Sequence, residues 1–190
     1  MSNSPLPFAG TTPPALPNHR LDTLISAEEI QKRTVELGAE ISKHYQGKDP
    51  VIITVLKGAF VFVADLIRTI ECPVTTEFLR VSSYGNKVVT SGEVKMELDI
   101  ASSVANRHVL LVEDIIDTGL TIDYLRANMN ARNPASVSVC TLLHKPGNNV
   151  RVAQIEYVGF NIPNNFVVGY GLDYHGYYRN LPYIAQVEEL

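Results

Sequence analysis

The stretch His108-Val109-Leu110-Leu111-Val112-Glu113-Asp114-Ile115-Ile116-Asp117-Thr118-Gly119-Leu120-Thr121 decides how the fold is read. Val109 to Val112 is an unbroken apolar, mostly branched run, the pattern of a strand buried on both faces. Two adjacent carboxylates, Glu113 and Asp114, stand where that strand should emerge. Asp117, Thr118, Gly119 and Thr121 then form a short polar turn that runs into Leu120 to Ala127, a segment with helical spacing. Hydroxyls, a glycine and the unpaired N–H groups of a helix start converge there, which is the chemistry that holds a phosphate dianion. The order is strand, acidic pair, phosphate turn, helix.

Each part admits a plainer reading. Asp117 or Thr118 can serve only as an N-cap, worth about 1 kcal/mol to the helix. Glu113 and Asp114 can be a solvated strand end. A cap needs one acid, however, and here three acids lie within five positions beside the turn. Their mutual repulsion favours a cationic partner, whether Lys, Arg or a divalent metal. No Gly-x-x-x-x-Gly-Lys-Ser/Thr motif occurs, which excludes the nucleotide loop of the usual ATPases.

Working outward, Val51-Ile52-Ile53-Thr54-Val55-Leu56 is a second β-branched strand. Lys57-Gly58-Ala59 turns into a helix beginning at Phe60 and reaching Ile67, repeating the architecture of the central stretch. Lys57 is either a solvated turn residue or part of a site, since open parallel sheets bind ligands at the carboxyl ends of their strands. Upstream, Ser26-Ala27-Glu28-Glu29 is a capping box, followed by Ile30, Val35, Leu37 and Ile41 at helical intervals, so a helix is expected from Ala27 to Tyr45. Thr75 to Val81 and Val94 to Asp99 read as strands flanking a polar segment from Ser82 to Glu93, which is either a lid or an ordinary hairpin. Ala135 to Leu143 alternates as a strand and ends in His144-Lys145-Pro146, where Pro146 presents Lys145 on an extended backbone. A surface lysine is the plain reading of Lys145, and a core aromatic that of Phe166.

The alternation of strands and helices predicts an α/β fold, a mostly parallel twisted sheet flanked by helices, with a small hood of terminal segments over its carboxyl edge. With 190 residues, 45% apolar and 19% charged, the chain accommodates one domain with a full core. Pro5, Pro7, Pro13, Pro14 and Pro17 mark residues 1–20 as a flexible tail, leaving 21–190 as the domain. A net charge of −4 without a basic stripe argues against a nucleic-acid partner. Cys72 and Cys140 alone make neither a disulfide framework nor a zinc spacing. No apolar run approaches a membrane span and no leader pattern is present, so the reading is a cytoplasmic protein without a membrane partner.

Val112-Glu113-Asp114-Ile115-Ile116-Asp117-Thr118-Gly119-Leu120-Thr121 resembles the phosphoribosyl pyrophosphate signature of type I phosphoribosyltransferases, and Glu-Asp-Ile-Ile-Asp-Thr-Gly is the wording of the hypoxanthine-guanine phosphoribosyltransferases. The likeness runs from about Ser26 to Val187. It implies a purine salvage enzyme that transfers phosphoribose from phosphoribosyl pyrophosphate to a 6-oxopurine, with Mg2+ as cofactor. Leu56, Lys57 and Gly58 match the family's pyrophosphate turn, which often carries a non-proline cis peptide; Ala59 stands where relatives often have Gly or Ser. Ser83 and Tyr84 match the mobile loop that closes over the reacting centre. Glu113 and Asp114 are assigned to the ribose hydroxyls and, with Asp173, to the metal.

By the same resemblance, Ile115, Asp117, Thr118, Gly119, Leu120 and Thr121 enclose the product phosphate, and Asp117 is the acid–base residue at the purine's imidazole-side nitrogen. Lys145 donates to the 6-oxo group, Phe166 stacks on the purine, and Val167 with its neighbours reads the base edge. Arg179 reaches the pyrophosphate, for which a planar guanidinium is well suited. Leu98-Asp99-Ile100-Ala101 departs from the Lys-Asp-Leu-Asp of many bacterial relatives. The family forms homodimers and homotetramers. Two rival readings stand beside this one: a sibling enzyme preferring xanthine, and an RNA-binding regulatory relative. The second needs a basic face, against which 16 basic and 20 acidic residues speak.

Overall fold

The computed structural model describes residues 18–83, 94–148 and 154–190. Its centre is a six-stranded sheet in the order β4-β3-β2-β5-β6-β7, made of β2 (Val51–Leu56), β3 (Thr75–Ser83), β4 (Val94–Leu98), β5 (His108–Ile116), β6 (Ser136–His144) and β7 (Tyr157–Asn161). Every pairing is parallel except that of β3 with the edge strand β4. The expected mostly parallel α/β sheet is what forms.

The apolar runs are continuous because both faces are covered. Ile52, Leu110, Val112 and Cys140 pack with Ile30, Leu37 and Ile41 of α1 (Ala27–His44) and with Phe62 and Leu66 of α2 (Phe60–Leu66). Their alternates Ile53, Val109, Leu111 and Val139 pack with Ile122, Leu125 and Met129 of α3 (Leu120–Asn130). The period of two in the strands and the helical spacing thus build two cores from one sheet. The capping box at Ser26 forms as read: its Oγ accepts from Glu29 N at 3.2 Å, and its own N–H donates to Glu29 Oε2 at 2.9 Å.

Two boundaries differ from the sequence reading. β5 does not end before its acids; Glu113, Ile115 and Ile116 stay in register with Thr141, Leu143 and His144 of β6. The ladder to β6, which runs on beside the acids to His144, outweighs the local charge. At the amino end, β1 (His19–Ile25) pairs antiparallel with β9 (Ile184–Glu189), so His19 and Arg20 lie in a sheet rather than in the tail. With β8 (Val167–Val168) these strands form the second sheet, in the order β1-β9-β8, which is the expected hood. The remaining tail residues, 1–17, and most of the expected lid, 84–93, fall outside the described residues.

Helix α1 approaches the turn after α2 closely at Gly38. A Cβ there would stand 2.0 Å from Thr69 Oγ1 and 2.8 Å from its carbonyl oxygen. Helix propensity favours alanine at such a position by roughly 1 kcal/mol, yet backbone cannot move aside as a side-chain tip can. Gly38→Ala should therefore lower stability by about 1–3 kcal/mol, the usual cost of overpacking. The urea midpoint measures it, and a midpoint unchanged or raised would contradict the contact.

Candidate active site

At the carboxyl end of β2 the Leu56–Lys57 peptide is cis, and the chain turns through Gly58 and Ala59 into α2. Gly58 is enclosed from two directions. A Cβ on it would come within 1.5 Å of Asp114 Oδ2, and a Cβ on Gly171 would come within 2.0 Å of the Gly58 carbonyl oxygen. Gly171 also has φ of 105°, in the left-handed region. Three segments distant in sequence therefore meet here, the Gly58 backbone lying between the Asp114 carboxylate and Gly171.

Glu113 and Asp114 lie on the last turns of the β5 ladder, beside this contact. Glu113 Oε2 is buried without a hydrogen-bond partner, and burial followed by the charge of Asp114 pushes its pKa well above the ordinary carboxylate range. Burial likewise raises Asp114 to about 6; the Ile115 N–H, which donates to Oδ1 at 2.9 Å, and the Arg179 charge oppose that rise, while Asp173 adds to it. The Arg179 charge does not offset the burial of two adjacent carboxylates. Their chemistry fits a divalent cation that brings its remaining ligands from water and substrate oxygens, the habit of Mg2+. Among the described residues no three His, Cys, Asp or Glu side chains gather into a ready-made metal cage.

Beyond β5 the backbone reverses at Gly119, with φ of 81°, which occupies the N-cap position of α3 and has no side-chain cap bond. Neither Asp117 nor Thr118 caps the helix. Thr118 Oγ1 lies a long 3.5 Å from Leu120 N. Asp117 is engaged elsewhere: Oδ2 accepts from Lys145 Nζ at 3.2 Å and Oδ1 from Asn148 Nδ2 at 2.8 Å. Thr118, Gly119 and Thr121, with Glu113, Ile115 and Asp117, line a small pocket of about 100 Å³ at the helix start. The first turn of a helix offers N–H groups that the helix itself cannot pair, so this pocket suits an anion.

Lys145 is buried, not a surface lysine; its N–H donates to the Ile116 carbonyl at 2.9 Å as β6 ends. Phe166 is the reverse, 53% exposed where a core aromatic was the plain reading, and its ring meets Tyr174 edge-on at 5.4 Å. Arg179 is aimed by two acceptors, donating to the Gly171 carbonyl at 2.6 Å and to Asp173 Oδ1 at 2.5 Å. Asp173 Oδ2 in turn accepts from Gly176 N at 2.7 Å.

One cavity of about 450 Å³ gathers most of these groups: Leu56, Lys57, Gly58, Glu113, Asp114, Ile115, Asp117, Thr121, Lys145, Phe166, Val167, Asp173 and Arg179. Leu120 begins α3 but lines neither space. Ser83 is the last residue of β3, and Tyr84 lies outside the described residues. Sequence reasoning missed Val55, Val81 and Leu172 in the wall; as apolar strand and turn residues they carry no chemical signal. It also missed Asn148, whose only cue is its place three residues after Lys145.

A parallel sheet under a hood, with strand-end acids, an anion turn and a cationic wall around one cavity, defines a phosphoribosyltransferase of type I fold. Residues 22–175 match the family described as the phosphoribosyl transferase domain. The chain is 52% identical over 162 residues to the hypoxanthine-guanine phosphoribosyltransferase of Bacillus subtilis, covering 85% of this chain and 90% of that protein. Over 172 residues it is 46% identical to the hypoxanthine phosphoribosyltransferase of Haemophilus influenzae, covering 89% and 96%. A crystal structure of a hypoxanthine-guanine phosphoribosyltransferase from Bacillus anthracis superposes with a TM-score of 0.85 at 47% identity, over 88% of this chain and 98% of that one. The chain belongs to the hypoxanthine-guanine phosphoribosyltransferases.

The buried acids give stability a pH dependence. Asp114 has a folded pKa of about 6 against an ordinary 3.8, so the folded state binds more protons in between. Stability without metal or ligand then falls as pH rises through that window and levels above it. Glu113 adds to the same slope. Asp114→Asn should raise Tm at pH 8, leave it nearly unchanged at pH 4, and flatten the slope. Melting curves in EDTA across this range are the check; parallel curves for both proteins would refute it.

Proposed function

We propose that this cavity transfers phosphoribose from phosphoribosyl pyrophosphate to hypoxanthine or guanine, releasing pyrophosphate and a purine nucleoside monophosphate. The supporting observation is the cavity itself, which sets anion donors, carboxylates, a buried lysine and an exposed aromatic ring around one space.

The leaving pyrophosphate needs N–H donors and cations, which the backbone at Lys57 and Gly58, the Lys57 ammonium and the Arg179 guanidinium supply. The 5′-phosphate belongs in the small pocket from Asp117 to Thr121, at the start of α3. Glu113 and Asp114 accept from the ribose hydroxyls directly or across a magnesium ion, which these two and Asp173 would hold together with substrate oxygens. Bound there, the ion neutralises charge on the leaving group. Phe166 stacks on the purine, Lys145 donates to its 6-oxo oxygen, and Val167 lies along the base edge. Asp117 takes the proton from the imidazole-side nitrogen as that nitrogen bonds to the anomeric carbon.

Among the described residues no helix is long and apolar enough to cross a membrane. Cytoplasm and a homodimer or homotetramer are the compartment and assembly we assign. Pyrophosphate release with Mg2+ should occur with hypoxanthine and guanine and not with uracil or orotate; no release with any base would overturn the reading. Asp117→Asn should lower kcat by roughly 100-fold or more while KM values change little. An unchanged rate in that variant would remove Asp117 from the mechanism. Phe166→Ala should raise the purine KM by about tenfold, given roughly 1–3 kcal/mol for a base stacked on an aromatic ring, with kcat at saturation little altered.

A further inference from the structure

Asn148 closes the short 3-10 turn Pro146–Asn148 that follows β6. Its side-chain amide has two N–H bonds, and both are used. One goes to Asp117 Oδ1 at 2.8 Å and the other to Asn164 Oδ1 at 2.6 Å. We propose that Asn148 is a positioning residue for the reaction, fixing the carboxylate of Asp117 against the loop that carries the purine platform.

Asp117 sits on a turn with its side chain 44% exposed, and Gly119 two residues on has no side chain to restrain the bend. Among the described residues, two side chains hold the carboxylate. Lys145 takes Oδ2 from the end of β6 and Asn148 takes Oδ1 from the turn after it. With each oxygen bonded to a different donor, the plane of the group is set. A single contact would leave it free to rotate about the bond to Cβ.

The second bond of Asn148 determines what that plane faces. Asn164 lies two residues before Phe166, and the adjacent Asn165 is tied to Gln186 Oε1 at 2.6 Å. One amide therefore spans the acid–base turn and the stacking loop, elements joined by no strand pairing to each other. Its neutrality matters as well. Glu113 shares the smaller pocket with Asp117, while Asp114, Asp173 and Arg179 line the larger cavity with it. A neutral donor steadies the ionised oxygen without adding a second cation beside Lys145 or repelling an anionic substrate.

The inference rests on the role given above to Asp117, and a double-mutant cycle separates the two. Kinetics are measured with phosphoribosyl pyrophosphate, Mg2+ and hypoxanthine for the wild type, Asn148→Ala, Asp117→Asn and the double variant. Asn148→Ala should lower kcat about tenfold, the worth of one hydrogen bond to a charged group. KM for phosphoribosyl pyrophosphate should stay within about twofold, because Asn148 itself lines neither the phosphate pocket nor the larger cavity. In the Asp117→Asn background the same change should move kcat by less than about twofold. Asn148→Asp keeps the volume but turns the donor into an acceptor, and should slow the enzyme more than alanine does; it also serves if the alanine variant does not fold. An equal loss in both backgrounds would mean a structural role only, and no loss would mean no role; either overturns the proposal. A normal rate in Asp117→Asn alone would instead overturn the reading of Asp117.

Discussion

The arrangement depends on two adjacent carboxylates held inside a parallel ladder. Glu113 and Asp114 stay in β5 because β6 continues beside them to His144, and the packed cores on both faces of the sheet keep the strand straight through its acidic end. Left alone, such a pair resists ionisation, as the raised values of both groups record. In the reaction proposed above, a metal and a polyhydroxyl sugar would satisfy acceptors that the protein leaves unmatched, Glu113 Oε2 first among them.

Hood and sheet meet at the same place. The Gly58 backbone lies between Asp114 and Gly171, so the pyrophosphate turn, the acidic strand and the hood loop are in direct contact. The hood loop is braced from both sides: Tyr170 donates to Asp65 of α2 at 2.5 Å, and His19 Nε2 of β1 lies 2.8 Å from the Tyr178 hydroxyl. Arg179, next to Tyr178, is thereby carried on a framework anchored in α2 and in β1. Any side chain larger than hydrogen at Gly58 or Gly171 would separate these segments, and with them the cationic and anionic halves of the cavity.

Much of this was legible along the chain, for local reasons. The strands β2 and β5 announce themselves because burial on both faces demands unbroken apolar runs, and α1 because its capping box needs only neighbours in sequence. The residues around the cavity were legible as a motif, since a phosphate turn needs its donors close together. What escaped depends on partners far along the chain. β1 is polar and unremarkable, and is a strand only because β9 pairs with it; the acids remain in β5 only because of β6. Lys145 and Phe166 were singled out by the family resemblance alone; by residue type Lys145 reads as a surface lysine until Asp117, 28 positions away, supplies its counter-charge, and Phe166 as core until the fold leaves its ring half exposed.

The Lys145–Asp117 pair also bears on which base is accepted. A lysine ammonium has three donors and no acceptor, so it can hold Asp117 and still offer an N–H to an oxygen on the purine. A 6-oxo group completes that arrangement. A 6-amino group would set donor against donor beside a buried cation, leaving both unmatched, and mismatches of this kind discriminate far more strongly than a missing methylene. In the reaction proposed above, the same lysine steadies the carboxylate that would receive the purine's proton, so recognition of the 6-oxo oxygen and readiness for proton transfer would run through one ion pair. A base that fails the first test also disturbs the second.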